Sequence, residues 1–212
     1  MKELENLQNI EKIPEWNEKL VKEFTETSEC AVMYPKFRMN YLKSVQKYIE
    51  KALHNKKLKF EMNDDEMRVF TTKQTRDPCA IISGDEMINL LSKGFCLEDA
   101  MKVLEDDIYS DIVKVNNLCA AKTLENRKSR LQNPSVIKAL ELLTKTKILV
   151  LNKIVGIIGE YDGIEVIKNV VIDCFQKNIH PAYKIKELMI KKNLSKDDVK
   201  GNWDRFLPDI KK

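Results

Sequence analysis

The sequence predicts an α+β protein in which helices pack on one face of small β-sheets. The first observation is a repeated order of elements: strand, helix, strand, strand and helix occur twice, starting near residues 30 and 111. The second is the character of the strand segments, which are short apolar runs bounded by turn residues. The third is the helical spacing of apolar residues in the segments between them.

The first repeat begins with a short apolar run over residues 30–34, which ends at Pro35. Apolar residues at helical spacing predict a helix over 37–53. Two strand-like runs, 58–62 and 67–71, then predict a hairpin.

Two further helices close this repeat. Asp77 and Pro78 predict the N-cap and the first residue of a helix that ends at Gly94. Another helix is predicted over 97–104. The glutamate-rich residues 1–27 predict an acidic helical extension.

The second repeat begins with a predicted strand over 111–115 and a basic helix over 122–131. Residues 132–135 interrupt the helical pattern, and a further helix is predicted over 136–143. The repeat therefore carries two helices between its first and second strands.

A hairpin and a long helix complete the second repeat. The runs 147–151 and 154–158 are almost continuously apolar, which is typical of strands covered by helices. Apolar residues over 164–175 predict a strongly amphipathic helix that begins near Asp162 and Gly163.

Composition excludes several classes of protein. The most apolar window, 148–158, is too short for the roughly 18 residues of a membrane span and is broken by Asn152 and Lys153. Acidic residues near the N-terminus argue against a secretion signal. We therefore expect no membrane association.

The five cysteines are odd in number, widely scattered and without a Cys-x-x-Cys pair. This pattern predicts buried, reduced thiols in a cytosolic or nuclear protein. With only two histidines in addition, we expect no metal site and no cofactor. His180, directly before Pro181, is interpreted as a structural or capping residue.

Charge is unevenly distributed along the chain. Residues 122–153 contain eight Lys or Arg against two Glu, whereas residues 1–33 contain four Lys against eight Glu. A basic segment beside an acidic one indicates a polyanionic partner for the basic segment, although a solvated helix face explains the charge equally well.

Several short stretches resemble one known family. The two most specific are Lys138-Ala-Leu-Glu-Leu-Leu-Thr-Lys145 and the block 178–190, which contains Asn178-Ile-His-Pro181 and Ile185-Lys-Glu-Leu-Met-Ile190; others lie at 33–38, 77–78, 104–108 and 203–208. They are similar to the KRR-type ribosomal RNA assembly proteins, which are KH-domain components of the small-subunit processome. The resemblance covers roughly residues 30–210.

The resemblance implies tandem KH-like domains, with the type I KH order in the second. It divides the chain into an N-terminal extension (1–27), a degenerate first KH-like domain (28–107), a second KH domain (108–180) and a C-terminal helical tail (181–212). The first domain would lack the Gly-x-x-Gly loop and contact proteins, and the second would bind RNA. The family's lysine-rich tail has no counterpart here, so the chain resembles a reduced form.

The RNA-binding loop departs from the family pattern. Residues 132–135 contain no glycine, and Pro134 has no amide donor, so the usual backbone clamp on phosphates is expected to be lost. Asn133 and Pro134 still predict a helix start. The predicted RNA-binding residues are Arg127, Lys128, Arg130, Asn133, Ser135, Lys138 and Lys145.

A second basic stretch lies near the C-terminus. Contact with RNA or a partner is one interpretation, and a surface helix docked by its apolar stripe is the other. The residues concerned are Lys184, Lys186, Lys191, Lys192, Trp203 and Phe206.

No phosphate loop, nucleophile elbow or His–acid pair has usable spacing, so we expect neither catalysis nor a small-molecule substrate. The resemblance implies a non-enzymatic nuclear and nucleolar factor of the small-subunit processome. It would bind ribosomal RNA precursor and other small-subunit assembly proteins during early 40S maturation and 18S-type rRNA processing. The alternative is a protein-interaction scaffold whose KH folds have lost RNA binding.

Overall fold

The computed structural model describes residues 21–151 and 153–196. This part of the chain contains two three-stranded antiparallel sheets and divides into two compact units between Asp85 and Glu86. The predicted α+β class is confirmed, and the order strand, helix, strand, strand and helix recurs with one additional helix in the second repeat. The predicted acidic extension lies largely outside the described residues.

The sheet of the first unit has the strand order β1-β3-β2. Its elements are β1 (Glu29–Met33), α1 (Met39–Asn55), β2 (Leu58–Met62) and β3 (Glu66–Thr71). Leu42, Ile49 and Leu53 on α1 are fully buried, as are Met67 and Val69 on β3. The helical spacing of the apolar residues therefore forms the core, as the sequence predicts.

The helix α2 (Ala80–Lys93) begins two residues later than predicted. The Asp77 carboxylate accepts the N–H of Cys79 at 2.8 Å, and the Asp77 carbonyl accepts the N–H of Ala80. Asp77 therefore holds a turn before the helix, in the way that aspartate commonly does. A short helix α3 (Leu97–Met101) follows and continues as a 3₁₀ turn over Lys102–Leu104.

The sheet of the second unit has the order β4-β6-β5. Its elements are β4 (Tyr109–Lys114), α4 (Ala121–Leu131), α5 (Pro134–Thr144), β5 (Lys147–Val150), β6 (Ile154–Gly159) and α6 (Tyr161–Phe175), followed by α7 (Pro181–Lys196). Strand, two helices, two strands and a helix is the predicted type I KH order.

One face of this sheet carries the main core of the second unit. Val115, Ile148, Val155 and Ile157 pack there with buried residues of α4, α5 and α6. Alternate strand residues point to opposite faces, so a nearly continuous apolar run supplies side chains to both. The burial of Ile158 at 2% exposure shows that the opposite face is covered as well.

The start of α6 differs from the prediction. The helix begins at Tyr161 with Glu160 as its N-cap, and Gly163 is buried in its first turn. A Cβ at Gly163 would lie 2.6 Å from the carbonyl oxygen of Thr144. This glycine therefore marks close packing between α6 and the end of α5, and not a helix cap.

Gly156 serves a similar purpose on the opposite face of the second sheet. A Cβ at this position would lie 2.7 Å from Cζ of Phe95 and closer still to Cε2. Phe95 is only 3% exposed, so its ring has little room to move. Glycine in this central strand permits the aromatic ring to lie directly on the backbone.

We expect Gly156→Ala to lower the free energy of unfolding by about 1–3 kcal/mol, because the added methyl overpacks the site. Urea denaturation measures the change. Gly156→Ala should lower the free energy of unfolding by less in a Phe95→Leu background than in the wild type, because the aromatic ring that it overpacks is gone. Strict additivity of the two substitutions would contradict this assignment.

Candidate nucleic-acid interface

The junction between α4 and α5 consists of Gln132 and Asn133. Asn133 is the N-cap of α5: its side-chain oxygen accepts the N–H of Ser135 at 3.1 Å, and Pro134 is the first helical residue. The Asn133 carbonyl accepts the next two amides, of Val136 and Ile137. The predicted helix start is confirmed, but its amide donors are already engaged within the chain.

Gln132 connects this junction to the edge of the sheet. Its amide nitrogen donates to the carbonyl of Val150 on β5 at 3.3 Å. Glu141 on α5 accepts the outward N–H of Ile148 on the same strand at 3.1 Å. Two outward backbone groups of the edge strand β5 are therefore bonded to side chains of the second unit.

Arg127 and Arg130 reach the C-terminal end of α6. Arg127 donates to the carbonyl of Phe175, the last residue of that helix, and Arg130 donates to the side-chain oxygen of Asn178 at 2.9 Å. The final carbonyls of a helix lack partners within the helix and carry partial negative charge. These two predicted RNA-binding side chains therefore fasten α4 to the end of α6.

Lys128 is buried, with 7% of the residue exposed. Its ammonium group lies 2.6 Å from a carboxylate oxygen of Glu125, one turn earlier on α4. Among the three cationic residues predicted on this helix, it is the least accessible to a phosphate group.

Lys138 and Lys145 lie on the surface of the second unit, as do Asn133 and Ser135. Lys138 forms no ion pair among the described residues. Lys145 follows α5 in the left-handed conformation, and its ammonium lies 3.8 Å from Glu160 while the side chain is 78% exposed. An exposed pair at this distance is weak, so both lysines are accessible to a polyanion.

Several lysines of the second basic stretch form ion pairs within the second unit. Lys184 on α7 pairs with Asp173 at 3.3 Å and with Glu187 at 3.1 Å. Lys177 pairs with Asp173 at 2.7 Å, and Lys191 pairs with Glu187 at 2.8 Å. Five charges of alternating sign thus link α6 to α7.

This network changes the acidity of its members. The hydrogen bond from Lys177, assisted by Lys184, lowers the pKa of Asp173. Hydrogen bonds from Lys191 and Lys184 lower the pKa of Glu187. Both carboxylates therefore favour the folded state when they are ionised.

The other predicted residues of the C-terminal region have different positions. Lys186 is exposed on α7, and Lys192 lies with its ammonium 3.5 Å from the carbonyl of Leu142. Trp203 and Phe206 lie outside the described residues. His180 accepts the N–H of Ala182 on Nδ1 at 3.2 Å, which confirms its interpretation as a capping residue.

The first unit has no equivalent of the α4–α5 junction. Between β1 and β2 its chain forms a 3₁₀ turn over Lys36–Arg38 and then the single helix α1. Met33 and Phe37, at the start of this connection, are 77% and 82% exposed. This unit therefore offers apolar side chains where the second unit offers a helix junction.

The prediction of buried thiols is correct only for Cys174, where burial also raises the pKa. Cys79 and Cys96 are exposed because each lies in the turn that precedes a helix.

Within the described residues no group of three or more metal-ligating side chains occurs. No helix in the same part of the chain is both long and apolar enough to cross a membrane.

Solved structures share this architecture. A chain in the crystal structure of the a/eIF2alpha–aDim2p–rRNA complex from Pyrococcus horikoshii OT3 has a TM-score of 0.69 and 23% identity, over 80% of this chain and 96% of that one. Dim2p from the same organism has a TM-score of 0.66 and 23% identity, over 77% and 99%. A protein of unknown function from Aeropyrum pernix has a TM-score of 0.67 and 17% identity, over 85% and 100%.

The repeated fold, with two helices between the first and second strands of its second sheet, defines a tandem KH-domain protein. Residues 28–106 match the Krr1 KH1 domain, and residues 108–196 match the second KH domain of the KRR1 small subunit processome component. The chain belongs to the KRR1 family, which is the family that its sequence resembles. It is accordingly a ribosome biogenesis factor of the RNA-binding KH class.

We expect Arg127→Gln to lower the free energy of unfolding by about 1–2 kcal/mol, because a charge-assisted bond to the end of α6 is lost. Lys122→Gln, on the same helix but exposed, should change it by less than about 0.5 kcal/mol. Urea denaturation compares the two variants. Equal midpoints would contradict the structural assignment of Arg127.

The ion-pair network predicts a dependence on pH. Because the folded-state pKa values of Asp173 and Glu187 are lowered, their contribution is present at neutral pH and is lost as the pH falls below roughly 4. The wild type should therefore exceed Asp173→Asn/Glu187→Gln in stability at pH 7, and this difference should shrink at pH 3. A difference that does not vary with pH would argue against the network.

Proposed function

We propose that this chain is a non-enzymatic factor of the small-subunit processome that binds ribosomal RNA precursor and assembly proteins. The observation that carries the proposal is the pair of family matches, which together include every residue from 28 to 196 except Asp107. The proposed role is in early 40S maturation and 18S-type rRNA processing, in the nucleus and nucleolus.

The second unit is the proposed RNA-binding part. Its junction cannot clamp phosphates with backbone amides, because those of Ser135, Val136 and Ile137 are engaged. Exposed lysines such as Lys138 and Lys145 remain, and ammonium groups contact phosphates without reading sequence. Asn133 and Ser135 lie in sequence between Arg130 and Lys138, are exposed, and are proposed as further polar contacts.

The a/eIF2alpha–aDim2p–rRNA structure supports the proposed RNA contact, because that complex contains rRNA together with a chain of this fold. KH-domain families bind nucleic acid in general without catalysing a reaction. Both points support binding to rRNA as the activity of this chain.

A second candidate function is a protein-interaction scaffold. It is favoured by the engaged amides of the junction and by the exposed Met33 and Phe37 of the first unit. In this case the chain would join pre-ribosomal particles through proteins alone.

Binding of the purified chain to a structured transcript of small-subunit rRNA precursor, measured over a salt series, tests the proposal. We expect log Kd to rise linearly with log salt, and Lys138→Gln/Lys145→Gln to reduce the magnitude of this slope by about 1–2. A matched control is Lys47→Gln/Lys51→Gln on α1, which removes equal charge from the first unit.

Absence of measurable binding by the wild type at low salt would refute the RNA-binding proposal. If the wild type nevertheless co-sediments with small-subunit precursors, the scaffold function takes its place. A slope reduced equally by both double variants would refute the assignment to Lys138 and Lys145 specifically.

A further inference from the structure

The two ends of the second sheet differ in their charged side chains: one carries carboxylates together with Lys145 and Lys147, and the other carries lysines. At one end, Tyr109 on β4 pairs with Gly159 on β6, and the chain next to these residues supplies four carboxylates. They belong to Asp106, Asp107, Glu160 and Asp162, which line one open depression. At the other end, where Lys114 pairs with Ile154, the charged side chains are lysines.

The backbone places three lysines near this basic end. Lys114 is the last residue of β4, and the next residue, Val115, donates its N–H to the carbonyl of Lys153 at 3.0 Å. Lys93 ends α2, and a Cβ on its neighbour Gly94 would lie 3.7 Å from Leu151. We call Lys93, Lys114 and Lys153 the strand-end surface.

The strand-end surface is exposed to solvent. All three lysines are exposed, and none forms an ion pair among the described residues. The two chain segments that contain Lys114 and Lys153, residues 112–124 and 148–156, have no Asp or Glu. Exposed Asn116 and Asn117 add amide groups that can donate to phosphate or sugar oxygens.

The distant carboxylates do not cancel this charge. Six residues of β4 span roughly 17 Å at about 3.4 Å per residue. The Debye length at physiological ionic strength is about 8 Å, so the acidic end lies about two screening lengths away. The lysines at this end can therefore attract a polyanion with little opposition from the acidic end.

We propose that the RNA phosphate backbone lies across the strand-end surface, held by Lys93, Lys114 and Lys153. The three strands of the sheet are together roughly 10 Å wide, which allows the lysines to contact more than one phosphate. This assignment rests on the proposed RNA-binding function and adds a second contact region to the one at Lys138 and Lys145. Because the contacts are ammonium groups only, it supplies affinity and orientation without sequence selectivity.

The test compares two triple variants of equal charge. Lys93→Gln/Lys114→Gln/Lys153→Gln neutralises the strand-end surface, and Lys47→Gln/Lys51→Gln/Lys73→Gln neutralises three exposed lysines of the first unit that have no ion pair among the described residues. Neither triple variant changes a buried residue, and coincident urea midpoints verify that both variants fold. Each is titrated, with the wild type, against the same small-subunit precursor transcript over a salt series.

We expect the strand-end triple to reduce the magnitude of the salt slope by about 2–3 and to raise Kd roughly tenfold to a hundredfold at physiological salt. The control triple should change either quantity much less. If the wild type binds and the two triples bind alike, the strand-end surface is not an RNA contact, and an acidic protein becomes the better occupant, while the proposed function stands. If the wild type does not bind, the proposed function and this assignment fail together.

Discussion

The attachment of α4 to the end of α6 is the constraint on which the second unit depends. Arg127 donates to the carbonyl of the last residue of α6, which has no partner within the helix, and Arg130 donates to the side chain of Asn178 just beyond it. This attachment fixes the direction in which α4 ends, and so places Gln132 within reach of β5. Two of the cationic side chains of α4 therefore hold the fold of the second unit together.

The sequence was a good guide to the elements and a poor guide to the roles of single charges. The order of strands and helices was predictable because apolar periodicity is local, and it failed by only a few residues at Asp77 and Gly163. The partners of Arg127 and Arg130 are 48 residues away in sequence, so no spacing pattern along α4 could reveal them. The same holds for Lys184, whose partner Asp173 lies on another helix.

Lys93 and Lys114 were missed for the opposite reason. Each is isolated in sequence, and neither belongs to a segment of conspicuous charge. Only the register of β4 with β6, and the packing of Gly94 beside Leu151, bring them to one end of the sheet. Net charge over a sequence window identifies a basic segment, whereas a basic surface is a product of topology.

The side chains that bond to β5 have a consequence for how this protein behaves among other chains. An unprotected edge strand invites an extended peptide to add itself to the sheet, whether in a specific complex or in aggregation. Glu141 and Gln132 occupy one outward N–H and one outward C=O of that edge, so an incoming strand must first displace both. These two side chains therefore disfavour the addition of a foreign strand to this edge of the second unit, including in a crowded, partly folded ribonucleoprotein.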